Sequence, residues 1–229
     1  MNQHQLRFFR SAPVFARLPD QALAEIAAGF FPRVYSRNEY LFWEGEEATS
    51  FFVVAAGRIR VFKTSDMGRE FTFFIANARR VFDLPPIFDG KPHPLSASAL
   101  SDARVYQASR SFVQEMAQRH PALYRALAQE LSRSARDIAT IAADLALTDV
   151  TTRLARLLIY SSQSEGLPTD EGVFLTLDLS QSEIAHLLGT AREVVSRSFR
   201  QLEREGLVER RRKGILIRKP DELSRVARV

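Results

Sequence analysis

The chain of 229 residues contains no cysteine. It can therefore form no disulfide and hold no thiolate-ligated iron–sulfur cluster. Histidine is scarce: His4, His93, His120 and His186 lie far apart and show no metal-ligand spacing. No apolar run approaches the roughly 20 residues that a membrane-spanning helix requires. The opening Met1–Arg7 lacks the apolar centre of a signal peptide, so the expected location is cytoplasmic, with no membrane partner. The chain also lacks a glycine-rich phosphate loop, a paired acid–base constellation and a nucleophile with a plausible base, so no catalytic residue is assigned and an enzyme is not expected. No internal repeat or low-complexity tract interrupts it.

What the chain does have is positive charge and an uneven distribution of aromatics. A formal charge of +5 and a pI near 9.9 favour an acidic partner without specifying which. Fifteen of the 17 phenylalanines lie between Phe8 and Phe112. The same stretch holds short β-rich runs, Phe51–Ala56, Arg58–Lys63, Glu70–Ile75 and Ala103–Gln107, punctuated by glycine. Arg58-Ile59-Arg60-Val61 and Phe71-Thr72-Phe73 alternate with period two, as half-buried strands do, and several short strands at regular spacing indicate a small barrel or sandwich.

Beyond Phe112 the pattern becomes helical. Pro121 suits a first helical turn, and the run from there to about Leu147 contains no glycine or further proline. Along it Tyr124, Leu127, Leu131, Ser134, Ile138, Ile141 and Leu145 follow the alternating three-and-four spacing of a coiled-coil seam. A helix packed on its own domain would give a similar pattern. A seam of this length between two differently patterned regions favours a parallel homodimer.

Ser180 to Arg197 reads as a helix, a tight turn at Gly189 and a second helix. Capping boxes are expected at both starts, Ser180-x-x-Glu183 and Thr190-x-x-Glu193, and Gly206 suits the left-handed residue that ends the second helix. At about 100° per residue, Arg192, Glu193, Ser196, Arg197 and Arg200 share an arc of roughly 140°. Val195, Phe199 and Leu202 fall on a separate apolar face. Arginine can pair bidentately with guanine, and glutamate can accept from the cytosine amino group, so Arg192, Glu193, Ser196 and Arg197 are candidate base contacts. Taken alone, a helical hairpin with a solvated charged face would look the same. Val208–Arg218 reads as a hairpin with a basic tip. Arg210, Arg211, Arg212 and Lys213, together with Ser180, Thr190 and Arg200, are candidate phosphate contacts, which position a protein without reading sequence.

The order of β-rich region, long helix and winged helix-turn-helix resembles the CRP/FNR family of bacterial transcription regulators, over nearly the whole chain. The resemblance is carried by Gly45-Glu-Glu-Ala48, Phe51–Gly57 and Gly68-Arg-Glu70, by Leu145–Arg153, and most specifically by Ser182-Glu-Ile-Ala185, Gly189 and Arg192-Glu193-x-x-Ser196-Arg197. It implies an α+β fold: a cupin-like, cyclic-nucleotide-binding-like β-roll over residues 1–120, a dimerisation helix over 121–148 and a winged helix-turn-helix over 149–229. It also implies base contacts by Arg192, Glu193 and Arg197, a homodimer on a pseudopalindromic double-stranded operator, and recruitment or blocking of RNA polymerase. Ser196 resembles the FNR-like branch.

The departures concern the signal. Cyclic-AMP-binding members carry Gly-Glu and Arg-Ser-Ala in the effector loop, where this chain has Phe82-Asp83 and Leu95-Ser96-Ala97, and Ile138-Ala139 replaces their Thr-Ser pair. Phe82, Asp83, Leu95, Ser96 and Ile138 are therefore the expected lining of an effector pocket that differs from theirs. Haem with a diatomic gas, ligated by His4, His93 or His120, remains an alternative, as do a small apolar ligand and no ligand at all; His186, on the first motif helix, is expected to be unrelated to sensing. A nucleotide-binding module acting on a protein partner is the rival to a regulator. The missing phosphate arginine and the reader helix both argue against it. Loss of one arginine–phosphate pair costs about 2–5 kcal/mol, or tens to thousands-fold in affinity. Titration calorimetry with cyclic AMP should accordingly show no micromolar binding.

Overall fold

The computed structural model describes residues 3–228. The chain divides into two compact units between Ile138 and Ala139. The division falls within the long helix, between the expected boundaries near 120 and 148.

The first unit opens with helices α1 (Gln3–Ser11) and α2 (Asp20–Ala28), which the periodicity had not suggested. The strands β1 (Phe31–Tyr35), β2 (Tyr40–Phe42), β3 (Ser50–Ala56), β4 (Ile59–Thr64), β5 (Glu70–Ala76) and β6 (Val81–Phe82) follow. After a short helix α3 (Pro85–Asp89) come β7 (Ser96–Ala99), β8 (Ala103–Ser109), α4 (Arg110–Arg119) and α5 (Pro121–Leu147). The strands form two antiparallel sheets in the orders β1-β8-β3-β6 and β2-β7-β4-β5. Gly57 turns β3 into β4 at a φ of +77°, and a Cβ there would lie 2.2 Å from the Asp102 carbonyl oxygen. Only glycine suits that position.

Phenylalanine is concentrated here because it fills two cores. Phe42, Phe52 and Phe82 pack with Val54, Ile59 and Val105 inside the roll. Phe9, Phe15, Phe30 and Phe51 form a second cluster that also takes in Leu23, Val113, Leu123 and Leu127 from α2, α4 and α5. Edge-to-face ring pairs run through it, Phe9 on Phe15 at 5.0 Å and Phe30 on Phe51 at 5.9 Å. Such pairs add to the burial of area alone.

The start of α5 belongs to this second core, which corrects part of the expected seam. Leu127 is fully buried within its own unit, and Leu131 packs half-buried on the same cluster. The inward stripe of α5 is Leu123, Leu127 and Glu130 at spacings of four and three. A straight helix cannot turn one apolar stripe towards both its own core and a partner. Further along, Ile138 and Leu145 are exposed while Ser134 and Ile141 are half-buried.

The second unit contains the end of α5, then α6 (Val150–Glu165), β9 (Leu167–Thr169), β10 (Gly172–Leu175), α7 (Gln181–Leu188), α8 (Arg192–Arg204), β11 (Val208–Arg211), β12 (Gly214–Ile217) and α9 (Pro220–Ala227). Its strands form one sheet in the order β11-β12-β10-β9. Asp149 caps α6 by accepting from the Thr152 amide at 2.8 Å, and those backbone bonds hold its carboxyl below the ordinary range. Arg153 donates to the carbonyls of Asp144 and Thr148 at the end of α5 and to that of Leu188 at the end of α7. Arg156 pairs with Asp144 and donates to the Ala227 carbonyl at 2.7 Å. Two guanidiniums thus satisfy the carbonyls of Leu188 and Ala227, which helix ends leave without intrahelical partners.

Leu127→Ala should destabilise the first unit by about 2–5 kcal/mol, the cost of emptying a closed leucine site. Trp43, the single tryptophan, lies in that unit, so its fluorescence in a denaturant titration follows the loss directly.

Candidate nucleic-acid interface

The helix-turn-helix is built from its caps outward. The Ser180 hydroxyl accepts from the Glu183 amide at 3.2 Å, and the Glu183 carboxylate accepts from the Ser180 amide at 2.6 Å, which completes the expected capping box of α7. Gly189 closes that helix at a φ of +62°, and the amide of Thr190 returns to the Ala185 carbonyl at 3.0 Å. The second capping box is not formed. The N-cap of α8 is Ala191, which makes no side-chain cap, so Thr190 lies one position too early to fill that role. Its amide is instead used in closing α7.

Val195, Phe199 and Leu202 are buried in the core of this unit, at 0 %, 1 % and 0 % exposure. They anchor α8, and the opposite face must therefore point outward. Arg192, Glu193 and Arg197 are exposed there, with Ser196 half-buried between them. Among the described residues these three charged side chains have no hydrogen-bond or ion-pair partner, so their donors and acceptors stand open to a ligand. Arg197, Arg200 and Arg204 also line a 930 Å³ groove whose other wall is Asp149, Val150 and Thr151 at the start of α6. The Thr151 hydroxyl donates to Ser198 at 3.1 Å, which ties α6 to α8 across the floor of the groove. The contribution of Arg204 and Thr151 was not found by sequence reasoning, because it depends on how α6 crosses α8.

The hairpin with the basic tip is β11–β12, and its four cations divide into two pairs. Arg210 forks onto Glu203 of α8, with Nε and Nη2 at 2.9 and 2.7 Å from the two carboxylate oxygens. This fork holds the Glu203 carboxyl below its ordinary range and raises the guanidinium. Arg211 lies between Glu209 and Glu171, and Arg218 also pairs with Glu209. Arg212 and Lys213, at the turn itself, are exposed and have no such partner among the described residues. Arg210 and Arg211 are thus already engaged as the structure stands, a point invisible in a run of four basic letters.

Comparison with known proteins agrees with this arrangement. Residues 152–226 match the Crp-like helix-turn-helix domain, and residues 32–120 match the cyclic nucleotide-binding domain. The chain belongs to the CRP/FNR family of transcription regulators. It is 28% identical over 217 residues to the CRP-like cAMP-activated global transcriptional regulator of Mycobacterium tuberculosis, covering 95% of this chain and 97% of that protein. Two solved structures share its fold. One is the c-di-GMP responsive global regulator CLP of Xanthomonas campestris, with a TM-score of 0.78 at 22% identity, covering 88% of this chain and 100% of that one. The other is a CooA mutant from Carboxydothermus hydrogenoformans, with a TM-score of 0.77 at 24% identity, covering 97% and 99%. The chain is a DNA-binding transcription regulator, and no described helix is long and apolar enough to cross a membrane.

The residues expected to line an effector pocket are largely consumed by the roll of this family member. Phe82 is buried, stacked against Phe52 at 5.3 Å. Asp83, at a φ of +59°, is hydrogen-bonded through its carboxyl group to His93 Nδ1 at 2.6 Å, and both side chains are nearly inaccessible. The His93 ring lies flat on Phe42 at 3.8 Å. The Ser96 hydroxyl accepts from the Glu44 amide at 2.9 Å. Leu95 packs, partly buried, against the same cluster, whereas Ile138 is exposed and outside it.

His93 and His120, two of the candidate haem ligands, are already engaged. His93 is 4 % exposed with one nitrogen on Asp83, which leaves no space for a macrocycle beside it. His120 Nε2 is bonded to Glu25 at 2.9 Å, and His4 lies exposed on α1. The His93–Asp83 pair had been missed because ten residues separate its members.

Glu203→Gln should release Arg210 for a phosphate. Affinity for random-sequence duplex should then rise, and the slope of log affinity against log salt should steepen by about 0.9, the share of one neutralised phosphate. A salt series by fluorescence anisotropy measures both.

Proposed function

We propose that α8 lies in the major groove, with Arg192 and Arg197 reading guanines, Glu193 accepting from a cytosine or adenine amino group, and Ser196 completing the base-reading face. The observation that carries this reading is the set of three partnerless charged side chains on the one exposed face of an anchored helix. Ser180, Thr190, Arg200, Arg212 and Lys213 contact phosphates. Arg210 and Arg211 join them by exchanging a carboxylate for a phosphate.

Two copies pair along the outer half of α5, through Ser134, Ile138, Ile141 and Leu145 with Leu131 at the margin. The exposure of Ile138 and Leu145, at 46% and 40%, supports this pairing, since a single chain leaves them wet. Such a dimer would set its two readers about 34–36 Å apart on a pseudopalindromic operator. The bound dimer recruits or blocks RNA polymerase. The signal is a compound other than cyclic AMP: leucine stands where a phosphate-binding arginine would be needed, and an aromatic stack fills the roll. The resemblance to a cAMP-activated relative does not supply those groups.

Binding measurements on a selected operator and on random duplex separate the roles. Arg197→Ala should cost about 1–3 kcal/mol on the operator and relax preference at one position. Arg212→Ala with Lys213→Ala should instead weaken both duplexes alike and flatten the salt slope by nearly two units. Equal losses on both duplexes for Arg197→Ala would refute the assignment of readers.

A further inference from the structure

Two adjoining cavities lie in the first unit, away from the effector-loop residues. One of 380 Å³ is walled by the β5–β6 turn, the α1–α2 connection and α5. The other, of 690 Å³, continues along α5 under the same connection, and the two share Pro13, Val14 and Arg133. Phe82, Asp83, Leu95 and Ser96 line neither.

Their charge is one-sided. Arg17, Arg79, Arg80, Arg125 and Arg133 face the two cavities, and Glu130 is the one carboxylate among the lining residues. Arg17, Arg79 and Arg125 are exposed and, among the described residues, have no hydrogen-bond or ion-pair partner. A concave surface lined by one sign of charge concentrates the field and draws in a counter-ion.

The walls are braced rather than loose. Arg10 donates to the carbonyls of Ala16 and Leu18 and pairs with Asp20, which fixes the α1–α2 connection. Arg80 lies over the Phe74 ring at 4.9 Å and pairs with Asp137 of α5 at 3.3 Å. Arg79 holds a φ of +72° while its amide donates to the Val54 carbonyl at 2.8 Å, so the turn presents this side chain from a constrained backbone. Glu130, 7 % exposed on the inward stripe of α5, is bonded to Arg133 at 2.7 Å and orients it. Burying a carboxylate at a core-facing position is costly, and a packed helix alone gives no reason for it.

We propose that this paired cavity binds a small organic polyanion, with one anionic group between Arg79 and Arg133 and a second between Arg17 and Arg125. Guanidinium forks pair equally well with phosphate and with carboxylate, so the shared requirement is two or more negative charges on a compact molecule. Because α5 forms one wall of both cavities, occupancy would be felt by the same helix whose outer half carries the exposed apolar stripe.

Calorimetry on the full chain at about 0.15 M salt, where exposed charges are screened beyond roughly 8 Å, provides the test. Inorganic pyrophosphate and citrate are the two probes. Saturable one-site binding of either, with a Kd below about 1 mM, is expected. Pyrophosphate alone assigns the site to phosphates, citrate alone to carboxylates, and both to polyanions in general. Arg79→Ala and Arg125→Ala, which leave the Glu130–Arg133 pair intact, should each weaken binding at least tenfold. Arg192→Ala and Arg212→Ala, on the basic surface of the other unit, should leave it unchanged. Binding of neither probe overturns the proposal, as does binding that survives Arg79→Ala and Arg125→Ala or falls with Arg192→Ala or Arg212→Ala.

Discussion

The burial of Val195, Phe199 and Leu202 is the constraint from which the DNA-facing surface follows. Removing three such side chains from water contributes on the order of 5–9 kcal/mol before the chain's entropy loss is counted. That is enough to fix the rotation of α8 about its axis. With the apolar face held, 3.6-residue geometry leaves Arg192, Glu193 and Arg197 outside, whatever they might otherwise pair with. Gly189 and the Ser180–Glu183 box set where α7 stops and so where α8 starts. Each device is local, and each works only because the core beneath α8 is closed.

A second constraint acts on the sensor side. Phenylalanine occupies the centre of its roll. Phe42, Phe52, Phe82 and the His93 ring form a continuous aromatic packing, and Asp83 satisfies the one buried imidazole nitrogen that bonds to it. A buried ion-capable pair of this kind is costly to break, since either partner alone would be left desolvated. Phe82, Asp83 and Ser96, which stand where cyclic-AMP-binding members carry their effector loop, are thus packed or hydrogen-bonded within the roll. Two cavities lined by arginines lie along α5 and the α1–α2 connection.

The long helix shows how a single pattern can serve two purposes. Its three-and-four spacing is uninterrupted from Tyr124 to Leu145, yet the first half is spent on the core of its own unit. Leu127 and Ile138 look equivalent as letters. One is fully buried and the other is 46% exposed. Ile138, Leu145 and Leu147 leave apolar surface exposed in the second half, whereas Leu123 and Leu127 of the first half are buried.

Much of the architecture was legible in the residues themselves. β-rich runs placed β3, β4, β5 and β8, with period-two alternation in β4 and β5; Gly57, Gly189 and Gly206 marked turns and a helix end; and the absence of cysteine closed the iron–sulfur route. These are short-range properties, set by backbone sterics and by alternation along a few residues. What tertiary structure decided was partnership. Whether Arg210 is free or forked onto Glu203, whether His93 meets Asp83, and whether Leu127 faces inward or outward all depend on which elements pack together. Such contacts join residues distant along the chain, and spacing carries no information about them. The same is true of the arginines that gather around α5: Arg17, Arg79 and Arg125 are unremarkable singly, and only folding brings them to the walls of two adjoining cavities.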